Sequence, residues 1–197
     1  IGYNILDNFI YGRQNAGNGT YNLVRISGSG GSSAILNLGA TVAGNVGDID
    51  SDGYYWMASG GQGWWRIDLR PGSATYGTVV ESGTADALGY GIADWVYIPS
   101  AGRWLYAVAT NSPGANTSTL LRFSMDTHTW SVVRQYTGTP SSTWGAQYGI
   151  NTGILYASDN TGGQIWSFPI DGSAPTHVTD GPPSGQNDGA RCVLNIL

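Results

Sequence analysis

Tyr54-Tyr-Trp-Met-Ala58, the polar run Ser59–Gly63 and Trp64-Trp-Arg-Ile67 decide the fold, because the same pattern returns along the whole chain. Its first run matches Asn8-Phe-Ile-Tyr-Gly12, Arg103-Trp-Leu-Tyr-Ala107 and Gly153-Ile-Leu-Tyr-Ala157. Its polar loop matches Asn15–Thr20, Asn111–Thr119 and Asp159–Gly163. Its second run matches Leu23-Val-Arg-Ile26, Leu120-Leu-Arg-Phe123 and Ile165-Trp-Ser-Phe168. The closing residues Ile26, Ile67, Phe123 and Phe168 are spaced 41, 56 and 45 apart. The long interval holds the extended Asn111–Thr119 loop and the extra segment Val96–Arg103.

Each pair of runs is flanked by two more. Gly2–Ile5, Gly47–Asp50, Ile92–Ile98 and Gln147–Ile150 read as opening, inner strands. Ala34–Val42, Tyr76–Glu81, Thr129–Tyr136 and Pro175–Thr179 read as closing, outer strands. Short β-branched and aromatic runs between Gly/Asn/Ser/Asp clusters are strand-and-turn chemistry. No stretch carries apolar residues at helical spacing. Four strands in about 45 residues is the period of a propeller blade, and a sandwich or jelly roll would show no such register between units. The expectation is an all-β chain: a small β-propeller of four-stranded antiparallel blades, with four visible repeats plus the first strand of a fifth. That strand is Asp188–Leu197. It either closes a four-bladed ring in place of Gly2–Ile5 or opens a fifth blade whose other strands lie outside residues 1–197; the second is expected, because Gly2–Ile5 already opens the first unit. The whole chain reads as one domain.

Composition narrows the partners. The chain has no Lys, a single Glu (Glu81), eight Arg scattered singly, and a net charge of −5. Phosphate backbones and anionic membranes need clustered positive charge, so nucleic acid is excluded as an expected partner. No run of about 18 apolar residues is present to insert in a bilayer as a helix. Asn18-Gly-Thr20 and Asn116-Thr-Ser118 fit the N-glycosylation pattern and, with the missing Lys, point to a secreted, extracellular glycoprotein.

Gly2-Tyr-Asn-Ile-Leu-Asp-Asn-Phe-Ile-Tyr-Gly12, Gly47-Asp-Ile-Asp-Ser-Asp-Gly53 and Asn187-Asp-Gly-Ala-Arg-Cys192 carry a resemblance. They are similar to an uncharacterised family of secreted β-propeller-like proteins from fungi and bacteria. The likeness spans most of the chain and rests on structural turns. It implies the fold, an extracellular location and sequence ahead of Ile1, and it implies no activity.

Motifs for chemistry are sparse. Asp48-x-Asp50-x-Asp52-Gly53 sets carboxylates on alternate positions, as a Ca²⁺ loop does. Trp56 and Ser59 stand where the further acidic ligands would be, so the motif reads as a hairpin turn and no cofactor is expected. His128 and His177 lie beside outer strands and read as surface residues; two His and the lone Cys192 are too few for a zinc site. Cys192, between small apolar neighbours, reads as buried or paired elsewhere. Asp48, Asp94 and Asp188 sit on or beside inner strands and approach the central channel, which keeps a glycan-directed hydrolase or lyase as an alternative.

Aromatic loop residues carry the leading reading. Trp64, Tyr90 and Trp144 border Gly/Ser-rich loops, near Asn160 and Gln186. A flat ring beside amides suits a sugar's apolar face and ringed hydroxyls. The expected function is therefore a non-catalytic, lectin-like propeller that binds extracellular glycans or glycoproteins. A secreted protein-binding effector or toxin is the third class.

Overall fold

Alternation sorts each strand between two faces, and in this chain both faces are apolar, as in a sheet covered on both sides. The computed structural model describes residues 1–110, 116–192 and 194. Among them sixteen strands form four antiparallel sheets. Blade one holds β1 (Gly2–Asn4), β2 (Phe9–Gly17), β3 (Thr20–Ile26) and β4 (Ser32–Gly39). Blade two holds β5 (Val46–Ile49), β6 (Tyr54–Ser59), β7 (Gly63–Asp68) and β8 (Val79–Thr84). Blade three holds β9 (Val96–Tyr97), β10 (Trp104–Ala109), β11 (Thr117–Ser124) and β12 (Trp130–Thr137). Blade four holds β13 (Trp144–Ile150), β14 (Ile154–Asp159), β15 (Gln164–Pro169) and β16 (Thr176–Asp180). Strands follow sequence order outward in every sheet, and successive inner strands β1, β5, β9 and β13 neighbour one another around the channel. The chain is a β-propeller, and the one helical element among the described residues is a 3-10 turn at Pro99–Ala101.

The turn joining the first two strands shows why the repeat could be read. Asn8, Gly53, Gly102 and Gly153 occupy the matching position in the four blades, and all have φ between 63° and 84°. That left-handed region favours Gly and Asn, so the turn selects them. Three apolar cores lie between successive blades. Tyr11, Leu23, Tyr55 and Ile67 fill the first, Trp56, Trp64, Trp95 and Phe123 the second, and Leu120, Trp144, Leu155 and Phe168 the third.

Two expected elements differ. The inner strand of blade three pairs only at Val96–Tyr97 rather than over Ile92–Ile98. Val108 of β10, which continuation of that pairing would place opposite Asp94, bonds instead to the Gln147 carboxamide: its N–H donates to Oε1 at 2.8 Å and its C=O lies 3.0 Å from Nε2. A buried side-chain amide thus stands in for a peptide group. In blade three, residues 111–115 of the Asn111–Thr119 loop lie outside the described residues, and Thr117–Thr119 belong to β11. At the C-terminal end, Asp188–Cys192 form no regular strand, and positions 193 and 195–197 of the expected segment also lie outside the described residues.

Candidate functional site

The inner strands carry their polar groups into the channel, and these groups tie blade to blade. Asp48 Oδ2 accepts the Tyr97 N–H of blade three at 2.7 Å, and its Oδ1 accepts the Ile49 N–H at 2.8 Å. Asp94 repeats the arrangement: Oδ2 accepts the Gln147 N–H of blade four at 2.8 Å, and Oδ1 accepts the Trp95 N–H at 2.9 Å. Asp188 Oδ2 pairs with the Ile1 amine at 2.6 Å. The expected approach of Asp48, Asp94 and Asp188 to the channel is therefore observed, and all three carboxylates accept backbone N–H groups, Asp188 Oδ1 from Gly189 at 2.8 Å.

Burial disfavours their charge. It pushes the Asp48 carboxyl up to about 7 against the two N–H bonds that favour ionisation. Burial, then the negative charge of Asp188, holds Asp94 well above the usual carboxylate range. The Tyr55 hydroxyl, buried and facing all three acids, is raised well above the usual phenol range.

The Asp48-x-Asp50-x-Asp52 run does not converge on one point. Asp50 turns into the hairpin, where Oδ1 accepts the Asp52 and Tyr54 N–H groups and Oδ2 accepts Trp56 Nε1–H at 2.8 Å. Asp48 points instead to the channel. No group of three or more His, Cys, Asp or Glu side chains is placed to hold a metal among the described residues.

Where the inner strands begin, the channel opens into two adjoining polar spaces. One, of about 130 Å³, is lined by Arg13, Tyr55 and Asp188 beside Ile1 and Asn45. The other, of about 270 Å³, is lined by Asn45, Ala93, Thr143, Gly145, Asn160, Gly185 and Asn187. Its three carboxamides come from three places: the approach to β5, the β14–β15 loop, and the approach to Asp188. Asn45 Oδ1 accepts the Gly60 N–H, and Asn160 Oδ1 accepts the Gly145 N–H, both at 3.0 Å. Asn187 Oδ1 is buried with no hydrogen-bond partner among the described residues. Gly145 forms the floor; a methyl there would collide with both Asn160 and Asn187.

The expected aromatic platforms are corrected by burial. Trp64 is 3% exposed, Tyr90 6% and Trp144 1%. Pairing places Trp64 opposite Ala58 on the face of blade two that meets blade three. There its ring stacks on His128 at 4.1 Å and lies 5.8 Å from Trp56. Gly83 makes the space, since a side chain there would strike the indole. Trp144 meets Phe168 edge-on at 5.4 Å in the next core. The Tyr90 hydroxyl accepts from Gln135 Nε2 at 3.0 Å and Thr119 Oγ1 at 3.3 Å. Of the five expected residues, Asn160 alone lines the recess; Gln186 is exposed beside it in sequence and not part of its wall.

His128 is not the surface residue expected; it is partly buried against Trp64, with Nε2 3.6 Å from Glu81. His177 is exposed, with Nε2 3.0 Å from Asp180. Cys192 is half-buried and free. Asn18 and Asn116 are exposed, each with left-handed φ (52° and 47°), at the edges of like-placed loops. The residues missed by sequence reasoning are Asn45, Gly145, Gln147 and Asn187. A usable signal was present: Asn45 stands directly ahead of β5 and three residues before Asp48, and Asn187 stands directly before Asp188.

Comparison with solved structures agrees with this architecture. Virginiamycin B lyase from Staphylococcus aureus aligns with a TM-score of 0.57 at 16% identity, over 94% of this chain and 57% of that one. A chain of the nidogen/laminin complex aligns at 0.57 and 14%, over 87% and 61%. Oligogalacturonate lyase in complex with manganese aligns at 0.51 and 14%, over 81% and 46%. At these identities the likeness is one of fold, and the chain spans less than two thirds of the length of each. No curated protein matches in sequence. A family profile described as a repeat of unknown function matches residues 1–194, and the chain belongs to that family, DUF6923.

Proposed function

We propose that this protein is a secreted, non-catalytic binding protein that holds neutral glycans at the mouth of its channel. One observation carries the reading: the recess of about 270 Å³ has three carboxamides and a threonine on its wall and no charged side chain. Carboxamides offer donors and acceptors together, which suits the hydroxyls of a sugar, and leave a charged ligand without a counter-ion. The aromatic residues first expected to stack on the ligand act instead by holding the blades that carry the carboxamides. Shallow, polar sites bind weakly because they order several groups for modest burial. The exposed asparagines of the two sequons, Asn18 and Asn116, accord with secretion.

A glycan array tests this. Binding of neutral oligosaccharides that falls at least tenfold in Asn160→Ala, with the fold intact, supports it. A second reading rests on Asp48, whose carboxyl near 7 suits an acid–base group for a hydrolase or lyase. Turnover of a polysaccharide, lost in Asp48→Asn and accompanied by no array binding, would replace the first reading with the second.

A further inference from the structure

Among the described residues four blades enclose three apolar cores, so two blade faces are left without one there. In blade one, Tyr11 and Leu23 point into the core shared with blade two. Alternation turns the cross-strand row Tyr3–Ile10–Ile26 the other way. In blade four, Leu155 and Ala157 point into the core shared with blade three. Their neighbours Ile154 and Tyr156 face away from it, and the Tyr156 ring stacks on Tyr148 at 5.2 Å and 16°. These residues are half-buried and belong to none of the three cores.

Between the two faces runs the segment Asp188–Cys192. Gly189 lies so close to β13 that a methyl group would strike the Gln147 backbone, much as Gly2 of β1 lies against the backbone of β5. At its start Asp188 pairs with Ile1. The segment thus occupies an inner-strand position between β13 and β1, so among the described residues the ring around the channel has five members, four of which carry outer strands.

We infer that the apolar faces of blades one and four are the seat of three further strands of the same polypeptide, which complete a fifth blade on Asp188–Cys192. The occupant follows from the repeat: every other inner segment carries three antiparallel strands with apolar residues on both faces. A second copy of this chain, already four blades around a ring, has no free three-stranded unit to insert. The similar solved propellers are likewise longer chains, of which this one covers 57% and 61% in the first two cases. The inference is independent of what the channel mouth binds.

Intact mass of the protein from its source, together with Tyr156→Glu in both that protein and the 197-residue chain, tests it. The expected natural polypeptide exceeds residues 1–197 by about 30 residues or more, three quarters of a blade repeat. In the 197-residue chain, Tyr156→Glu changes an uncovered face and shifts Tm by less than about 2 °C; in the natural protein the charge is buried and Tm falls by at least about 8 °C. A natural polypeptide of 197 residues overturns the inference. So does a Tyr156→Glu chain of 197 residues that fails to fold or loses as much Tm as the longer protein, because the face would then already be covered.

Discussion

Replacing Asp48 by Asn should flatten the pH dependence of stability in the near-neutral range. Burial raises the carboxyl from 3.8 to about 7 in the folded protein. A raised value means that the folded state binds the proton more tightly than the unfolded state. The stabilisation is therefore complete below about pH 4 and is lost as pH rises through about 7. At about 1.4 kcal/mol per pH unit the displacement is worth roughly 4 kcal/mol, and the partial exposure of half-buried Asp48 trims it to roughly 2–4 kcal/mol. Asp94 and Asp50 are raised in the same direction and add to the decline. Asp68 is lowered, first by the Arg70 guanidinium, and its contribution is lost only in stronger acid, outside this window. For a chain of this size the Asp48 share corresponds to a Tm drop of roughly 5–15 °C between pH 4 and pH 8. Thermal unfolding followed by circular dichroism at half-unit pH steps measures it. The wild-type Tm should fall across the window and the Asp48→Asn curve should fall less. Parallel curves, or a wild-type Tm that climbs from pH 4 to pH 8, would refute the reasoning.

Trp64→Ala and Trp144→Ala should each cost about 3–5 kcal/mol in denaturant unfolding, as deletions of buried indoles do; losses below 1 kcal/mol would place the rings on the surface. Gly145→Val should abolish glycan binding while leaving the circular dichroism spectrum unchanged, because the side chain fills the recess floor; undiminished binding would put the ligand elsewhere. Millimolar Ca²⁺ should leave Tm unchanged, since both Asp50 oxygens already accept protein N–H groups. A dissociation constant in the sensor range, roughly 10⁻⁷–10⁻⁵ M, would contradict that reading of the Asp run. Gln147→Leu should destabilise the protein by about 2–4 kcal/mol, because Val108 loses partners for its N–H and C=O at once; a neutral effect would show that the carboxamide does not complete the blade-three sheet.

The blades were legible because their signals are local. Runs such as Tyr54–Ala58 and Trp64–Ile67 carry strand chemistry within themselves, and the turn at Gly53 needs a left-handed residue whatever surrounds it. The site was less legible because exposure depends on the neighbouring blade. Trp64 borders a glycine loop in sequence, yet its parity within the hairpin matches Trp56 and Arg66, which turns it inward. Counting that parity would have buried it in advance. Asn45, Asn160 and Asn187 lie more than 25 residues apart from one another, and only ring closure brings them to one recess. Gln147 reads as an ordinary strand residue; its role in completing the ladder at Val108 follows from a contact 39 residues away.

Hydrogen–deuterium exchange, with and without the strongest neutral oligosaccharide found on the array, tests the site most directly. The Gly145 and Asn160 amides line the recess and bond to Asn160 Oδ1 and the Thr143 carbonyl. Ligand at the channel mouth predicts slowed exchange at Gly145 and Asn160–Gly163, with β8, β12 and β16 unchanged. Protection confined to those outer strands, with Gly145 and Asn160 exchanging at the free rate, would contradict the assignment.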